Sequence, residues 1–523
     1  MSFRFPRTFA PALSQLTAAL LLALLPATTL RAQDVSGTVV RVNTRIVVLD
    51  IVVTDKKGNV VTNLKQSDFT VLEDKQPQTI RTFETPSMHI MPPSPDGTAI
   101  VNSSADLHKI GDAPVTILVL DELNTVFSDM SYARRSLEKY LLAQPEVLKQ
   151  PTALLVASNT KFQLLHDYTQ NRADILKVLK AHFPEYPWKL AQSGKSGPGA
   201  AERIAQSLSS VLQIAEASSG TPGRKNVIWV GVNAPGVNLV GADPVTIKVM
   251  GDLTKRVTQT LLADRVTMYY VDPTINDSST VGLMVPGDDD DSDTMVDLDP
   301  FSSDVNFDDF APATGGQIFM SRNDIDKEIA TSIDNGTTYY TISYSPSNKS
   351  EDAAKYRGIK IKLSNPDLIA TTREGYYPEG ANANNTVNDP TITADQRKKD
   401  LQLELSQAAL STLPYNGLTI TAQKSADPHI WTVSVVTKGL SWAPQASGAL
   451  HAEVTALSVA FDAKSKILSH AAHELEATQK PGEDSPDTVI FQVPVEIPGG
   501  TKRLHFVIRD AVTGKIGTAD ATP

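Results

Sequence analysis

From residue 114 to residue 335, short apolar runs alternate with helical patterns. Val115–Leu120, Val227–Val230, Val266–Val271 and Gln317–Phe319 read as strands. Asp129–Gln144, Asn171–His182, Ala200–Ala217, Thr246–Ala263 and Asp324–Ile333 read as helices. Strands joined through helices need right-handed crossovers, so the expected fold class is α/β: a mostly parallel sheet with helices on both faces. The run Ala153–Leu165 breaks the alternation like a hairpin and implies one antiparallel edge strand. Val115–Thr125, VTILVLDELNT, sets the functional question. A buried strand there delivers Asp121 to the carboxyl edge of the sheet, where open α/β folds place their ligands.

The flanks are β-rich. Residues 33–85 hold short strand-like runs (RIVVLDIVVTD, Phe69–Glu73, Gln78–Phe83) separated by turns, and residues 338–378 hold three more. Neither segment is large enough to be stable alone, so they are expected to form one β-sandwich into which the α/β region is inserted. Residues 86–113, with MPPSPDG, read as a linker, and so do residues 379–397. Evenly spaced short strands in 398–523 predict a second β-sandwich, preceded by a short helix over Asp395–Ser411.

A chain of 523 residues exceeds what one core supports, which fits several domains. Arg4 and Arg7 are followed by the apolar run Leu16–Leu25, with Ala32 as the cleavage point, so 1–32 is expected to be a signal peptide. Its loss removes Arg4, Arg7 and Arg31 and takes the net charge from −11 to −14. That balance, with no basic stripe, argues against a nucleic-acid partner. The expected location is the periplasm, the cell surface or the extracellular medium, with no membrane span after cleavage. There is no cysteine, which removes disulfides, thiolate zinc sites and thiol catalysis.

Residues 286–310 carry ten aspartates, from Asp288 to Asp309. Like charges this dense repel and favour an open loop. The alternative, a calcium loop, lacks the glycine and closing glutamate of an EF-hand.

Several strings carry a family resemblance: VVTDKKGNVVTNLKQSDFTVLEDKQPQTIRTFE, ILVLDELNT, YTQNRADILKVL, GRKNVIWV, ATGGQIF and TTYYTISYSP…GIKIKL…REGYYP. With these the chain resembles the von Willebrand factor A-related (VWFA-related) proteins common in acidobacteria, over about residues 35–378. The resemblance implies a von Willebrand factor A-like domain and a site to test. Such domains often hold Mg²⁺ or Mn²⁺ through D-x-S-x-S in a first loop, a threonine in a second and an aspartate in a third. Here Asp121 matches the first aspartate, Thr125 the second hydroxyl and Thr169 the second-loop threonine. Leu123 and Val232 stand where a hydroxyl and an aspartate are expected, so two of the five ligands are missing and the metal-ion-dependent adhesion site is degenerate. Glu122, Asn124 and Asn233 are the rim residues able to substitute. Without a metal, Asp121 is expected to accept backbone N–H groups of neighbouring loops. No cofactor is expected; Mg²⁺ or Mn²⁺ is the ion that a completed set takes.

Other chemistry finds little purchase. No G-x-S-x-G follows a strand, and no phosphate-binding glycine pattern is present. His470 and His473 lack an HExxH acid and read as a surface pair, and His166 reads as a solvated loop residue. Tyr339, Tyr340, Tyr344, Tyr376 and Tyr377 alternate as cross-strand packing partners do. The expected function is therefore a secreted, non-enzymatic, adhesion-type protein that binds a protein or surface polymer. The alternatives are a structural component of an envelope or secretion assembly, and a metal-dependent hydrolase.

Overall fold

A six-stranded sheet carries the middle of the chain. Its strands run in the order Ile318–Phe319, Val266–Val271, Lys225–Val230, Val115–Asp121, Val147–Ala157, Phe162–Asn171. All neighbours are parallel except Phe162–Asn171, which returns antiparallel along the edge. The computed structural model describes residues 46–94, 96–193, 198–232, 236–238, 244–274, 300–301, 304–320, 324–347, 355–378, 393–445, 447–482 and 485–523. The expected signal peptide, Asn233, most of the acidic loop 286–310 and most of the second linker lie outside them.

All seven residues of Val115–Asp121 are buried. Period-two alternation sends Ile117 and Val119 to one face and Leu118 and Leu120 to the other. Helix Phe127–Ala143 covers the second face with Met130, Ala133, Leu137 and Leu141, a helical stripe. Helices Arg172–Ala181 and Ile325–Thr337 join it there through Ile175, Leu179, Ile325, Ile329 and Ile333. Helices Pro198–Ser218 and Pro244–Ala263 cover the first face with Ile204, Leu208, Val211, Val257 and Leu261.

The segments before and after this domain pair. Val47–Asp55 lies between Tyr340–Tyr344 and Leu368–Thr371, antiparallel to both. A second sheet pairs Phe69–Glu73 with Arg357–Leu363. Leu49, Ile51, Tyr340 and Ile342 of the first sheet share a core with Val71, Ile359 and Tyr376 of the second. The five tyrosines are all buried. Tyr344 and Tyr376 donate to the buried Glu73 carboxylate at 2.7 and 2.9 Å, and Arg357 bonds its other oxygen at 3.0 Å. Arg265 ties this sandwich to the α/β domain with a two-pronged contact to Asp50, at 2.7 and 3.2 Å.

Residues 86–113 differ from the free linker expected of them. Val101, Leu107, Ile110 and Ala113 are buried against Val115. The Gln170 side chain accepts the N–H groups of Ile100 and Val101, and Asp167 accepts that of Ser104. Proline and serine here mark irregular backbone, which is nonetheless packed.

The C-terminal region forms two antiparallel sheets around Trp431, Val433, Phe491, Val454, Phe506 and Ile508. Helix Ala394–Leu410 packs Leu405, Ala408 and Ala409 into the same cluster as Leu208 and Val507, so the sandwich is cored onto the α/β domain. His470 and His473 lie on strand Ile467–Gln479, where a separation of three residues puts them on opposite faces. They form no pair. Among the described residues no helix is long and apolar enough to cross a membrane.

Candidate functional site

The strand order reverses between Val115–Asp121 and Lys225–Val230: from the first strand the chain builds outward to one edge, then returns to build the other. Such a switch point leaves a crevice beyond the strand ends where ligands bind. Asp121 ends the first of these strands, and Gly231 and Val232 follow the second.

The Asp121 carboxylate is fully buried and its acceptor sites face N–H donors. One oxygen takes the backbone N–H groups of Leu123 and Asn124, both at 3.0 Å. The other takes the Asn124 amide at 3.0 Å and the Trp229 indole N–H at 3.0 Å. Asn124 is oriented from its far side, because its amide oxygen accepts Arg203 Nε at 3.2 Å. Its nitrogen also reaches Ser207 Oγ at 3.1 Å. Arg203 and Ser207 stand one helical turn apart on helix Pro198–Ser218, facing the strand end. Burial raises the Asp121 carboxyl to about 6, against the hydrogen bonds from Asn124, Trp229 and Leu123, which lower it. Burial also lowers the Arg203 pKa, while the nearby Asp121 charge supports its cation.

This arrangement does not fit a metal. A divalent cation needs several oxygen lone pairs converging on one point. Those of Asp121 are directed at nitrogens, and the charge beside it is the Arg203 guanidinium. Leu123 is buried and offers no ligand. Thr125 Oγ1 accepts the Val232 N–H at 2.8 Å, closing the first loop onto the third. Gly231 lets this closure occur: a Cβ there would lie 2.5 Å from Asp121 Cβ and 2.7 Å from Thr125 Oγ1.

Thr169 is not at the site, contrary to the assignment from sequence. It pairs with Thr152, which pairs with Thr116, whereas Asp121 pairs with Ala157. Five residues of strand separate the two levels, roughly 16 Å at about 3.3 Å per residue. The edge strand runs antiparallel, so its last residues lie at the amino edge of the sheet. Thr169 instead accepts the Asn171 N–H at 2.9 Å beside the start of helix Arg172–Ala181. His166 sits half-buried on the same strand, away from Asp121. The structure thus gathers Asp121, Glu122, Asn124 and Thr125, excludes Thr169, and leaves Asn233 outside the described residues.

Glu122 is turned sideways. It is buried, bonds His182 Nε2 at 2.7 Å and accepts the Glu185 N–H at 3.0 Å. Asn159, just past the neighbouring strand, bonds the Tyr186 carbonyl at 2.9 Å and the Lys189 N–H at 3.1 Å. The segment His182–Lys189 is thereby pinned along the carboxyl edge. It presents Phe183, 87% exposed, Tyr186, 64% exposed, and Trp188. Phe127, 51% exposed, and Val126 project from the Asp121 loop, and Met320 lies just past the strand Ile318–Phe319. Sequence inspection missed Arg203, Trp229, His182 and the aromatic segment. The one arginine of the helical run AAERIAQSLSSVL, with Ser at i+4, was the available signal.

No family model matches the chain. No curated protein matches it. Among solved structures, it is similar to an aerotolerance-related membrane protein from Bacteroides fragilis NCTC 9343, with 8% identity, 42% of this chain and 98% of that chain covered, and a TM-score of 0.24. It is also similar to the SpRpn10 VWA domain, with 9% identity, 31% of this chain and 90% of that chain covered, and a TM-score of 0.16. At these TM-scores neither likeness carries an argument.

Proposed function

We propose that this chain is a non-enzymatic binding protein whose von Willebrand factor A-like domain engages a protein partner without a metal. The carrying observation is the exposed aromatic segment Phe183–Trp188, held at the switch-point edge by buried Glu122 and Asn159. Solvent-exposed Phe, Tyr and Trp grouped on braced backbone are the side chains that dominate protein interfaces. Fixing the loop beforehand lowers the ordering cost of association. The non-enzymatic reading is supported by Asp121, whose burial keeps water and substrate from its carboxylate. Export to the periplasm, cell surface or medium belongs to the same reading and rests on the N-terminal pattern of residues 1–32, as membership of the acidobacterial VWFA-related group rests on the sequence strings. A surface polymer is the second class of partner, because aromatic faces also stack on sugars.

The test is capture from envelope extract of the source organism, with the mature chain immobilised, in Mg²⁺ and in EDTA. The expected result is a specific protein retained in both buffers and lost with the Phe183→Ser/Tyr186→Ser variant. Equal capture by that variant, or capture abolished by EDTA, contradicts the proposal.

A further inference from the structure

At the amino edge of the sheet, opposite Asp121, a cavity of about 360 Å³ opens between the α/β domain and the C-terminal sandwich. This lies within the size range of small-molecule sites, about 300–1,000 Å³. Its floor is Lys225, the first residue of the strand Lys225–Val230. One wall is the end of helix Pro198–Ser218 with Glu216; another is Asp264 and Arg265; the last is the turn Thr513–Ile516 of the sandwich. Gly220 sits in the first wall at φ +90°, with its backbone so close to Asn416 that a Cβ would meet that carbonyl at 2.3 Å.

The charges lining this space are only partly used. Lys225 is 1% exposed, and its ammonium donates to the Thr221 carbonyl at 2.6 Å, a neutral acceptor. Among the described residues its ammonium makes no ion pair within 4 Å, although the Asp264 carboxylate lies near enough to act on it, so two of its three N–H donors have no acceptor among those residues. Glu216 is 5% exposed; one oxygen faces Arg256 at 3.4 Å and the other has no hydrogen-bond partner. Arg265 is engaged by Asp50. Lys515 is exposed at the mouth. A buried lysine and a buried carboxylate with part of their hydrogen-bonding capacity unmet are costly unless something else satisfies it.

We propose that this cavity binds a small dipolar ligand of the α-amino-acid class. Its carboxylate meets Lys225 and Lys515, and its ammonium meets Glu216 and Asp264. Asp264 already faces Ser219, Lys225 and Lys515, so the groups still open are the second Glu216 oxygen and the spare Lys225 donors: a simple anion leaves the first unmet, and a simple cation leaves the second unmet. Burial raises Glu216 to about 7 and lowers Lys225, and the nearby Arg256 and Asp264 charges offset this only in part, which leaves room for a further opposite charge at each. Because both domains line the cavity, an occupant adds contacts across their boundary, and binding stabilises the docked arrangement.

The experiment is a thermal-shift and calorimetric screen of the full chain against the twenty standard amino acids, with acetate and methylamine as single-charge controls. The expected result is a saturable rise in melting temperature with one or a few amino acids and none with either control. Lys225→Met and Glu216→Gln are each expected to weaken binding by about tenfold or more, the effect of one lost charge contact. Lys515→Ala, on the exposed mouth, leaves folding intact and weakens binding several-fold. The proposal is overturned if no amino acid binds at millimolar concentration, if acetate alone matches the best amino acid, or if Lys515→Ala binds as the wild type does. Should Lys225→Met fail to fold, the control ligands and Lys515→Ala still decide the matter.

Discussion

The Trp229 indole N–H donates to Asp121 at 3.0 Å across two adjacent parallel strands, both side chains fully buried. This contact gives a carboxylate at the sheet edge a nitrogen donor. It also sets the first expectation. Trp229→Phe removes the donor while keeping an aromatic ring, and leaves a buried acceptor short. The expected loss of stability is about 1–3 kcal/mol, measured by urea unfolding. A change within about 0.5 kcal/mol would show that the bond contributes nothing.

Arg203 supplies the internal cation. Arg203→Met removes both its charge and its bond to Asn124, and is expected to cost about 1–3 kcal/mol. Asp121→Asn alone puts an amide among N–H donors and is also expected to destabilise. In the double variant the penalties are expected to overlap, with a coupling of about 0.5–3 kcal/mol. Strict additivity in the cycle would separate the two residues energetically and remove the internal-cation reading.

Gly231 has no room for a side chain between Asp121 and Thr125. Gly231→Ala is expected to force the third loop off the first and to destabilise by about 1–3 kcal/mol. Loss of protection at the Val232 amide in hydrogen exchange is the local readout, since that N–H bonds Thr125. Unchanged exchange would mean that the loops are not closed in this way.

Glu216 makes stability pH-dependent. Its carboxyl is raised from 4.5 to about 7, chiefly by burial. The folded chain therefore binds the proton more tightly than the unfolded chain. The resulting stability is fully present below about pH 4.5 and is lost as pH rises towards 7. Asp121 acts in the same sense between 3.8 and about 6. Glu216→Gln is expected to flatten the fall in melting temperature between pH 5 and pH 7.5. A profile identical to that of the wild type would contradict this.

Much of the scaffold was legible in the residues. The apolar runs of the central sheet are buried on both faces and read as strands for that reason, and Ala153–Leu165 announced the antiparallel edge. The pairing of Val47–Asp55 with Tyr340–Tyr344 followed from two β segments too small to stand alone. The site was less legible. Thr169 precedes a helix, as a loop ligand would, but the reversal of its strand carries it to the wrong edge. Glu122 finds His182 sixty residues later, and Asp121 finds Trp229 across the switch point; neither contact leaves a local pattern. Asp121 itself remains strong evidence for where the sheet ends, while its buried donors give it a structural task.

Isothermal titration of Mg²⁺, Mn²⁺ and Ca²⁺ into the mature chain, beside Asp121→Ala, tests the central claim most directly. The account predicts no saturable heat at millimolar metal in the wild type and no difference between the two proteins. Saturable binding by the wild type that disappears in Asp121→Ala would contradict it and restore a metal to the sheet edge.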